Sequence, residues 1–362
     1  MDYSVQSCLK PIEYNDVLQV AQAQLPWEAL VNSHVLITGA GGFIGSLLVR
    51  ALLLRNDLFN ANISVTSLVR NGEKAKRLFG GLLSRGDLRL CVQDVTEPIR
   101  ADKADYVIHA ASQASNIQFE NDPVGTICAN LTGTANVLDF AKESQSKAVL
   151  IISSLKVYGT LYTGKPSISE EDMGYLDITS YKNCYAMGKR ASETLAASYF
   201  REYGLNVKIA RPSYIYGAAG MDDDRVWAQF LANAVRGEDI RLKSDGRVRR
   251  SFCYVTDTAE ALLTILLKGE ANTPYNIADT DSNVRIRDFA QTVADVFPEK
   301  KLRRFFEDPA DAPEPEELIT PLTPTPEVLD GTRLRALGWA AKVSLREGIT
   351  RSCAILCERK NG

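Results

Sequence analysis

The stretch of sequence that decides the fold runs Val35-Leu36-Ile37-Thr38-Gly39-Ala40-Gly41-Gly42-Phe43-Ile44-Gly45. An apolar run rich in β-branched residues ends at Thr38, glycines follow at every third position, and an apolar helical run comes next. This order predicts a strand, a tight turn and a helix. We expect Gly39 to make the turn, Gly42 to let the backbone approach a pyrophosphate, and Gly45 to let the helix pack against the strand. The free amides at the helix N-terminus would then bind phosphate groups.

A tyrosine and a lysine stand four residues apart, at Tyr185 and Lys189, in a segment that reads as a helix from residue 186 to residue 199. Residues at this spacing share one face of a helix. We therefore expect the Lys189 ammonium to lower the pKa of Tyr185, so that this tyrosine can act as a general acid or base near neutral pH. Tyr181 is a competing tyrosine, but no lysine stands four residues after it.

A serine pair follows the most apolar strand of the sequence, residues 148–152. In an open α/β sheet, ligands bind at the carboxyl ends of the strands. The hydroxyl of Ser154 is therefore the candidate to hydrogen-bond a reacting alcohol or carbonyl, and Ser153 is the alternative for the same role.

Several further segments, taken in order, resemble one family. The matching segments are residues 107–111, 130–138, 153–159, 249–257, 275–277 and 334–339. The chain resembles the extended short-chain dehydrogenase/reductases, in particular the nucleotide-sugar epimerases and dehydratases, from about residue 34 to about residue 348. Aligning residues 157–159 with that family's motif places the catalytic hydroxyl at Ser154. The resemblance also implies that Arg250 binds the substrate diphosphate.

The predicted fold is a Rossmann-like, doubly wound parallel α/β sheet with a smaller C-terminal substrate-binding lobe, because apolar strands alternate with helical stretches. The predicted catalytic residues are Ser154, Tyr185 and Lys189, and the predicted substrate-binding residues are Ser154, Tyr214 and Arg250. Besides Tyr185 and Lys189, the predicted cofactor-binding residues are Gly39, Gly42, Phe43, Ile44, Gly45, Arg70, Asp94, Val95, Ala110 and Ala111. No metal site is expected, since the sequence contains two histidines.

The choice between NAD and NADP depends on the end of the second strand. NAD enzymes usually place an acidic residue there to bind the ribose hydroxyls. Here Arg70 and Asn71 follow the strand, and Arg70 could pair with a 2′-phosphate. The sequence thus favours NADP over NAD; in the alternative interpretation, Arg70 faces water and Asn71 holds an NAD ribose.

Two departures from the family bear on the reaction. Sugar 4,6-dehydratases carry Asp and Glu after the catalytic hydroxyl, and UDP-glucuronate decarboxylases carry Glu at the second position; here Leu155 and Lys156 stand there. Tyr214 replaces a family asparagine that contacts the sugar diphosphate. The leading prediction is therefore a nucleotide-sugar 4-epimerase with Tyr185 as base. The alternatives are an NADPH-dependent 4-keto-sugar reductase, a dehydratase or decarboxylase, and a cofactor-binding regulatory protein without catalysis.

Composition excludes some classes of protein. The chain has 362 residues and a net charge of −3, so no basic field favours nucleic acid. No apolar run approaches the roughly 20 residues of a membrane span. The N-terminus lacks the features of a signal peptide, and seven scattered cysteines fit reduced thiols, so we expect a cytoplasmic protein.

The sequence predicts an N-terminal extension over residues 1–33. Trp27 and nearby apolar residues indicate that it packs on the body, and the alternative is a flexible tail. A Rossmann domain is predicted over 34–212, with 251–279 returning to it, and a nucleotide-sugar-binding lobe over 213–250 and 280–362. Residues 307–326 read as a Pro-rich, acidic surface loop. The family resemblance implies a homodimer built from helices near 121–143 and 181–203.

Overall fold

The computed structural model describes residues 3–307 and 323–360, so residues 308–322 of the predicted acidic loop lie outside the described part. The strands of that part are β1 (His34–Thr38), β2 (Ser64–Val69), β3 (Leu88–Val92), β4 (Tyr106–His109), β5 (Ala148–Ile152), β6 (Val207–Pro212), β7 (Tyr214–Tyr216), β8 (Ile240–Leu242), β9 (Arg249–Tyr254), β10 (Pro274–Ile277), β11 (Asn283–Arg285) and β12 (Arg304–Phe306). Its α-helices are α1 (Val5–Cys8), α2 (Pro11–Ala21), α3 (Phe43–Phe59), α4 (Gly72–Phe79), α5 (Asn116–Asn121), α6 (Pro123–Ser144), α7 (Cys184–Tyr203), α8 (Val226–Arg236), α9 (Val255–Lys268), α10 (Ile286–Ala294), α11 (Thr332–Ala336) and α12 (Leu345–Lys360). Its 3-10 helices are Trp27–Leu30, Gly80–Ser84, Leu155–Tyr158, Tyr181–Asn183, Thr280–Ser282 and Pro298–Lys300.

Seven strands form the main sheet in the order β3-β2-β1-β4-β5-β6-β10. Every pairing in it is parallel; Leu36 of β1, for example, lies opposite Thr66 of β2 on one side and Val107 of β4 on the other. Parallel strands need crossover connections. Residues 93–105 connect β3 to β4 without a helix, and helices supply the other connections.

Both faces of the sheet are buried, and the alternation along each strand shows how. Val35 and Ile37 of β1 belong to the core formed with α2, α3 and α9, whereas Leu36 belongs to the core formed with α6 and α7. Because successive side chains of a strand point to opposite faces, a strand buried on both faces reads as a continuous apolar run. The predicted doubly wound, Rossmann-like α/β fold is confirmed.

The strand order reverses between β1 and β4. At such a switch point the connections leave the sheet on opposite sides and open a crevice at the carboxyl ends of the strands. The turn after β1 and the segment after β4 form the walls of this crevice. The fold therefore places the glycine turn and residues 110–113 at the expected ligand-binding edge.

Two smaller sheets lie in the C-terminal part. One has the order β11-β9-β7, with β9 parallel to β7 and antiparallel to β11, and the other pairs β12 with β8. Residues 251–254, which the sequence analysis assigns to the Rossmann domain, lie in the three-stranded sheet. Helix α9 packs on β5 and β6, and β10 joins the main sheet.

The N-terminal extension packs on the body, as predicted for its described residues. Trp27 is buried, and α2 packs on α3 and α9. Two buried polar contacts hold the extension in place: Asp16 accepts a hydrogen bond from the Tyr254 hydroxyl at 2.6 Å, and Glu13 pairs with Arg50 at 2.6 Å.

Within residues 3–307 and 323–360, no helix combines the length and apolar character that crossing a membrane requires.

Candidate active site

The glycine turn after β1 is packed so closely that larger residues do not fit. Gly39 has φ of +66°, and a Cβ there would lie 2.7 Å from the backbone of Ala110. A Cβ on Gly45 would overlap the carbonyl oxygen of Gly39. Helix α3 begins directly after Gly42, and no side chain caps its first amides. These amides and the helix dipole are therefore available to a phosphate group.

Two cavities meet at this edge of the sheet. One, of about 350 Å³, is lined by Gly39, Gly42, Arg70, Asp94, Val95, Ala110 and Ala111. The other, of about 390 Å³, is lined by Ile44, Ala110, Ser154, Tyr185, Lys189, Tyr214 and Arg250, among others. Ala110 and Ser112 line both cavities. Because they share these lining residues, the two cavities adjoin each other at the carboxyl edge of the sheet.

The predicted catalytic residues come from two elements that end in the larger cavity. Tyr185 lies in the first turn of α7, and its ring stacks on Phe119 of α5 with centroids 4.8 Å apart. Lys189 lies one turn later, with its Nζ 5.8 Å from the centre of the Tyr185 ring. Ser154 follows β5 and lines the same cavity, close enough to Tyr185 for its hydroxyl to lower the pKa of that tyrosine. Tyr181 does not line this cavity, and its hydroxyl donates to Glu120 at 2.7 Å.

The electrostatics of Tyr185 differ from the expectation. Burial raises the pKa of Tyr185, and the effects that oppose burial come from the Ser154 hydroxyl and the charges of Lys156 and Arg225. Lys189 donates instead to the carbonyl oxygen of Ile152 at 2.7 Å, and burial lowers its own pKa to about 8. The expected lowering of the Tyr185 pKa by Lys189 was thus wrong, because burial of the hydroxyl outweighs the effects that lower this pKa, and those effects come from Ser154, Lys156 and Arg225.

The two neighbouring serines have different partners. Ser153 is buried, and its hydroxyl donates to Glu193 at 2.5 Å. Ser154 is partly exposed, and its hydroxyl accepts a hydrogen bond from the Lys156 amide at 3.2 Å. Because the Ser153 proton is used by a buried carboxylate, Ser154 is the serine that a ligand in the cavity can engage.

The predicted substrate residues lie in a charged cluster. Lys156 Nζ donates to the Tyr214 hydroxyl at 3.0 Å and to Glu327 Oε1 at 2.5 Å. Arg250 Nε donates to Glu327 Oε2 at 3.0 Å, and its guanidinium lies 4.3 Å from the centre of the Tyr214 ring. We define Lys156, Tyr214, Arg250 and Glu327 as the charged cluster. Arg250 is therefore paired with Glu327, which comes from a distant segment of the chain.

The smaller cavity contains the residues proposed to select the cofactor. Arg70 is exposed at the end of β2, and Asn71 caps α4 by accepting from the Lys74 amide at 2.9 Å. Burial would raise the pKa of Asp94, but hydrogen bonds from Thr96 and the charge of Arg70 outweigh it and lower that pKa. The carboxylate of Asp94 therefore stays charged near Arg70.

Three residues that line the larger cavity or lie at its border were not predicted from the sequence. Phe119 supports the tyrosine ring, Arg225 brings a positive charge from the loop before α8, and Glu327 joins two cations. Arg225 also lies over the rings of Phe43 and Trp227. None of these positions forms a local pattern with Tyr185 or Ser154, so only their arrangement in space identifies them.

Comparison with known families decides the classification. The model of the family described as NAD dependent epimerase/dehydratase matches residues 35–278. The chain belongs to the NAD-dependent epimerase/dehydratase family. This family consists of extended short-chain dehydrogenase/reductases that modify nucleotide sugars, so the predicted family and enzyme class are confirmed.

Among curated relatives of this family member, UDP-glucuronic acid decarboxylase 6 of Arabidopsis thaliana is 32% identical over 320 residues, covering 88% of this chain and 87% of the relative. UDP-glucuronic acid decarboxylase 5 of the same plant is 33% identical with the same coverage. Among solved structures, the UDP-glucose 4-epimerase of Thermotoga maritima has a TM-score of 0.69 at 22% identity, covering 91% of this chain and 99% of that one. A dTDP-glucose 4,6-dehydratase of Bacillus anthracis has a TM-score of 0.73 at 17% identity, covering 91% and 98%. These structures show the shared fold.

Proposed function

We propose that this family member oxidises carbon 4 of a nucleotide-linked uronic acid and removes its carboxyl group. The observation that carries the proposal is a single cavity that adjoins the glycine turn and is lined by Ser154 and Tyr185 together with the cationic side chains of Lys156 and Arg250. The similarity to UDP-glucuronic acid decarboxylases supports this reaction over the epimerisation favoured by the sequence.

The residues present fit a nicotinamide dinucleotide. The uncapped start of α3 suits the pyrophosphate, because its first amides lack a side-chain partner. Arg70, Asp94 and Val95 would lie around the adenosine, and Ala110 and Ala111 beside the nicotinamide ribose. The chemistry supplied by the bound nicotinamide is reversible hydride transfer at sugar carbon 4.

Tyr185 is proposed to take the proton of the carbon 4 hydroxyl and to give it back at the end of the cycle. Ser154 would hold the same sugar oxygen through its hydroxyl. The positive charges of Lys156 and Arg225 reduce the rise in the pKa of Tyr185 that burial causes. Phe119 fixes the plane of the ring by stacking.

The lysine at position 156 is compatible with decarboxylation. A uronic acid with a ketone at carbon 4 is a β-keto acid. When its C5–C6 bond breaks, carbon dioxide leaves, the electron pair moves onto the carbon 4 oxygen, and a proton then adds to carbon 5. Bond breaking therefore needs no carboxylate base. Burial would lower the pKa of Lys156, but Tyr214 and Glu327 outweigh it and raise that pKa, so a cation remains to offset the developing oxyanion.

A nucleotide-sugar 4-epimerase is the second candidate. The observation that favours it is the replacement of the decarboxylases' glutamate by Lys156. The same oxidation would serve both reactions, with hydride returned to the other face of the ketone in an epimerase.

Incubation with UDP-glucuronate, read by NMR, separates the two. We expect release of carbon dioxide and a UDP-pentose without net consumption of added cofactor. A product that keeps carbon 6 and differs at carbon 4 would establish the epimerase instead. If neither UDP-glucuronate nor any sugar of a panel of dTDP-, GDP- and CDP-sugars is converted, the decarboxylase and the epimerase proposals both fail. Consumption of NADPH with a 4-keto sugar would then establish the reductase.

Arg250 is proposed to bind the substrate diphosphate, because only its Nε is engaged by Glu327 in the described structure. Substituting Arg250→Met keeps bulk and removes the charge. We expect UDP binding to weaken by about 1.5–3 kcal/mol, the value of a hydrogen bond to a charged group, with NAD binding unchanged. Calorimetry with UDP measures this directly. Arg249→Met, at the exposed neighbouring position of β9, is the matched control; equal UDP affinities in both variants would mean that the phosphates bind elsewhere.

We propose NAD as the working cofactor. The family is NAD-binding, and no finding supports the preference for NADP that Arg70 suggested. The charged Asp94 near Arg70 would repel a 2′-phosphate.

Arg70→Ala tests the choice of cofactor. If Arg70 contacts a 2′-phosphate, NADP affinity falls by roughly 10- to 100-fold, the equivalent of a charge-assisted hydrogen bond, and NAD affinity stays constant. We expect the wild-type protein to bind NAD more tightly, and Arg70→Ala to widen the difference. Fluorescence titration with NADH and NADPH measures the two affinities, and Arg77→Ala is the control. Tighter binding of NADP by the wild type would restore the original prediction.

The division into an extension, a Rossmann domain and a substrate lobe remains a proposal, as does a homodimer through α6 and α7. Exposed apolar side chains on these helices support the dimer. They are Val124, Ile127 and Leu131 on α6 and Phe200 and Tyr203 on α7. Burial of such side chains is the usual driving force of association.

A further inference from the structure

Glu327 lies between the two cations of the charged cluster. Its backbone is fixed beside Arg250 by an isolated parallel bridge, and its carbonyl oxygen accepts the Ser251 amide at 3.2 Å. Its carboxylate accepts from Lys156 at 2.5 Å, from Tyr214 at 2.5 Å and from Arg250 at 3.0 Å. A carboxylate with three donors has little freedom to rotate, so it fixes the positions of its donors.

The two cations keep donors for a ligand. The Lys156 ammonium has three N–H groups, and the Arg250 guanidinium has five. Across residues 3–307 and 323–360, Lys156 uses its donors on Tyr214 and Glu327, and Arg250 uses its Nε on Glu327. Both side chains line the larger cavity. One carboxylate therefore holds both cations while most guanidinium donors remain available.

We infer that Glu327 is a positioning residue that sets the spacing between the sugar-facing ammonium of Lys156 and the diphosphate-binding guanidinium of Arg250. The inference rests on the proposed function, which assigns those two roles. Without Glu327 the two like charges would repel each other across the cavity. The shared carboxylate holds them together at a net charge of +1, which still attracts an anionic substrate.

The charge on Glu327 persists over the working pH range. Burial would raise the pKa of Glu327, but Lys156 and Arg250 outweigh it and lower that pKa to about 2. Glu327 is therefore not a proton donor or acceptor in the reaction. Its effect passes through the two cations, which distinguishes it from a catalytic residue.

UDP binding to Glu327→Gln gives the first test, because the sign of the effect is diagnostic. Removing a negative charge beside an anion site would by itself strengthen UDP binding. Loss of the position of Arg250 would weaken it. We expect UDP affinity to fall about 3- to 10-fold, the equivalent of one net hydrogen bond. Unchanged or tighter binding overturns the inference. Glu73→Gln, which removes an exposed lysine partner on α4, is the matched control.

A double-mutant cycle gives the second test. The cycle compares kcat/KM of the single variant Lys156→Met with that of the double variant Lys156→Met/Glu327→Gln. If Glu327 acts on the sugar end through Lys156, the double variant should lose no more than the factor by which Glu327→Gln weakens UDP binding. A larger loss of kcat/KM in the double variant, with the kcat effects of the two substitutions multiplying, overturns the inference. Glu327 would then act independently of Lys156. The melting temperatures of all variants show whether a loss of activity is caused by a loss of folding. For a variant that is too unstable to assay for activity, the direction of the change in UDP affinity remains the test.

The outcome is separable from that of the proposed reaction. If the wild type leaves UDP-glucuronate intact but inverts another nucleotide sugar, the proposed decarboxylation fails and the cycle is run with that sugar. If the wild type decarboxylates UDP-glucuronate but the UDP test gives tighter binding in Glu327→Gln, the inference alone fails.

Discussion

Replacing Tyr185 by Phe should lower kcat by about 10²- to 10⁴-fold, the usual contribution of general acid–base catalysis. The variant loses the ionisable hydroxyl and keeps the ring that stacks on Phe119. We therefore expect the protein to fold and to bind NAD and UDP as the wild type does. The measurement is kcat with the nucleotide sugar that the wild-type protein turns over, together with calorimetric binding of both ligands.

Tyr181→Phe is the matched control for this experiment. It removes a tyrosine hydroxyl four residues earlier, and that hydroxyl contacts Glu120 outside the cavity. We expect its kcat to equal that of the wild type. A Tyr185→Phe protein that works at the wild-type rate would remove Tyr185 from the role of base, and with it the proposed oxidation at carbon 4.

The fold could be predicted because its strongest constraints leave patterns within short stretches of sequence. A Cβ on Gly45 would collide with the Gly39 carbonyl oxygen of the same turn, and a Cβ on Gly39 would collide with the backbone of Ala110 after β4. The continuous apolar runs of β1 and β5 follow from burial on both faces. The partners that impose these constraints can be distant, but each constraint acts on consecutive or regularly spaced residues, so each leaves a recognisable pattern in the sequence.

The convergence of Ser154 and Tyr185 on one cavity was predictable for a similar reason. A residue at the carboxyl end of a parallel strand lies at the ligand-binding edge of the sheet. The first turn of the α-helix that follows this strand begins at the same edge. What the spacing could not give was the electrostatics. Lys189 stands one helical turn from Tyr185, but its ammonium donates to the carbonyl oxygen of Ile152, a partner set by the packing of α7 on β5.

The charged cluster could not be predicted because its members are distant in sequence. Glu327 lies 171 residues from Lys156 and 77 from Arg250. Lys156 stands where dehydratases and decarboxylases carry a glutamate, and the sequence therefore favoured an epimerase over both. The fold brings a carboxylate there from another segment, so the local substitution says less about the reaction than it first indicated.

His109 carries the second large expected effect. It is fully buried at the end of β4, with Nδ1 2.8 Å from Thr38 Oγ1 and Nε2 3.1 Å from Thr134 Oγ1. Thr134 donates its own proton to the Asn130 carbonyl oxygen, so it accepts from Nε2, and Thr38 donates to Nδ1. The network thus holds a neutral imidazole that links the glycine strand to α6. Burial, with a smaller effect of the Lys189 charge, lowers the pKa of His109 to about 3.

The pKa of an unfolded histidine is about 6.5. Between about pH 6.5 and 3, His109 is therefore protonated in the unfolded chain and neutral in the folded chain. The stabilisation is complete above pH 6.5 and is lost as the pH falls, by about 1.4 kcal/mol per pH unit. We expect His109→Gln to remove this dependence. Between pH 6.5 and 4.5, urea denaturation should show the wild type losing about 2–3 kcal/mol more than the variant.

The difference between the two proteins isolates His109 from other groups. Burial raises the pKa of Asp257 to about 6, so its ionisation destabilises the fold as pH rises from about 3.8 to 6, which opposes the histidine in part of the same range. That contribution is common to both proteins and cancels. Thr134→Ala is the control that weakens the same network and keeps the imidazole. It should lower stability at every pH and keep the wild-type slope. Equal slopes for wild type and His109→Gln would mean that His109 accepts its proton in the folded state, and the neutral network at the cofactor edge would be wrong.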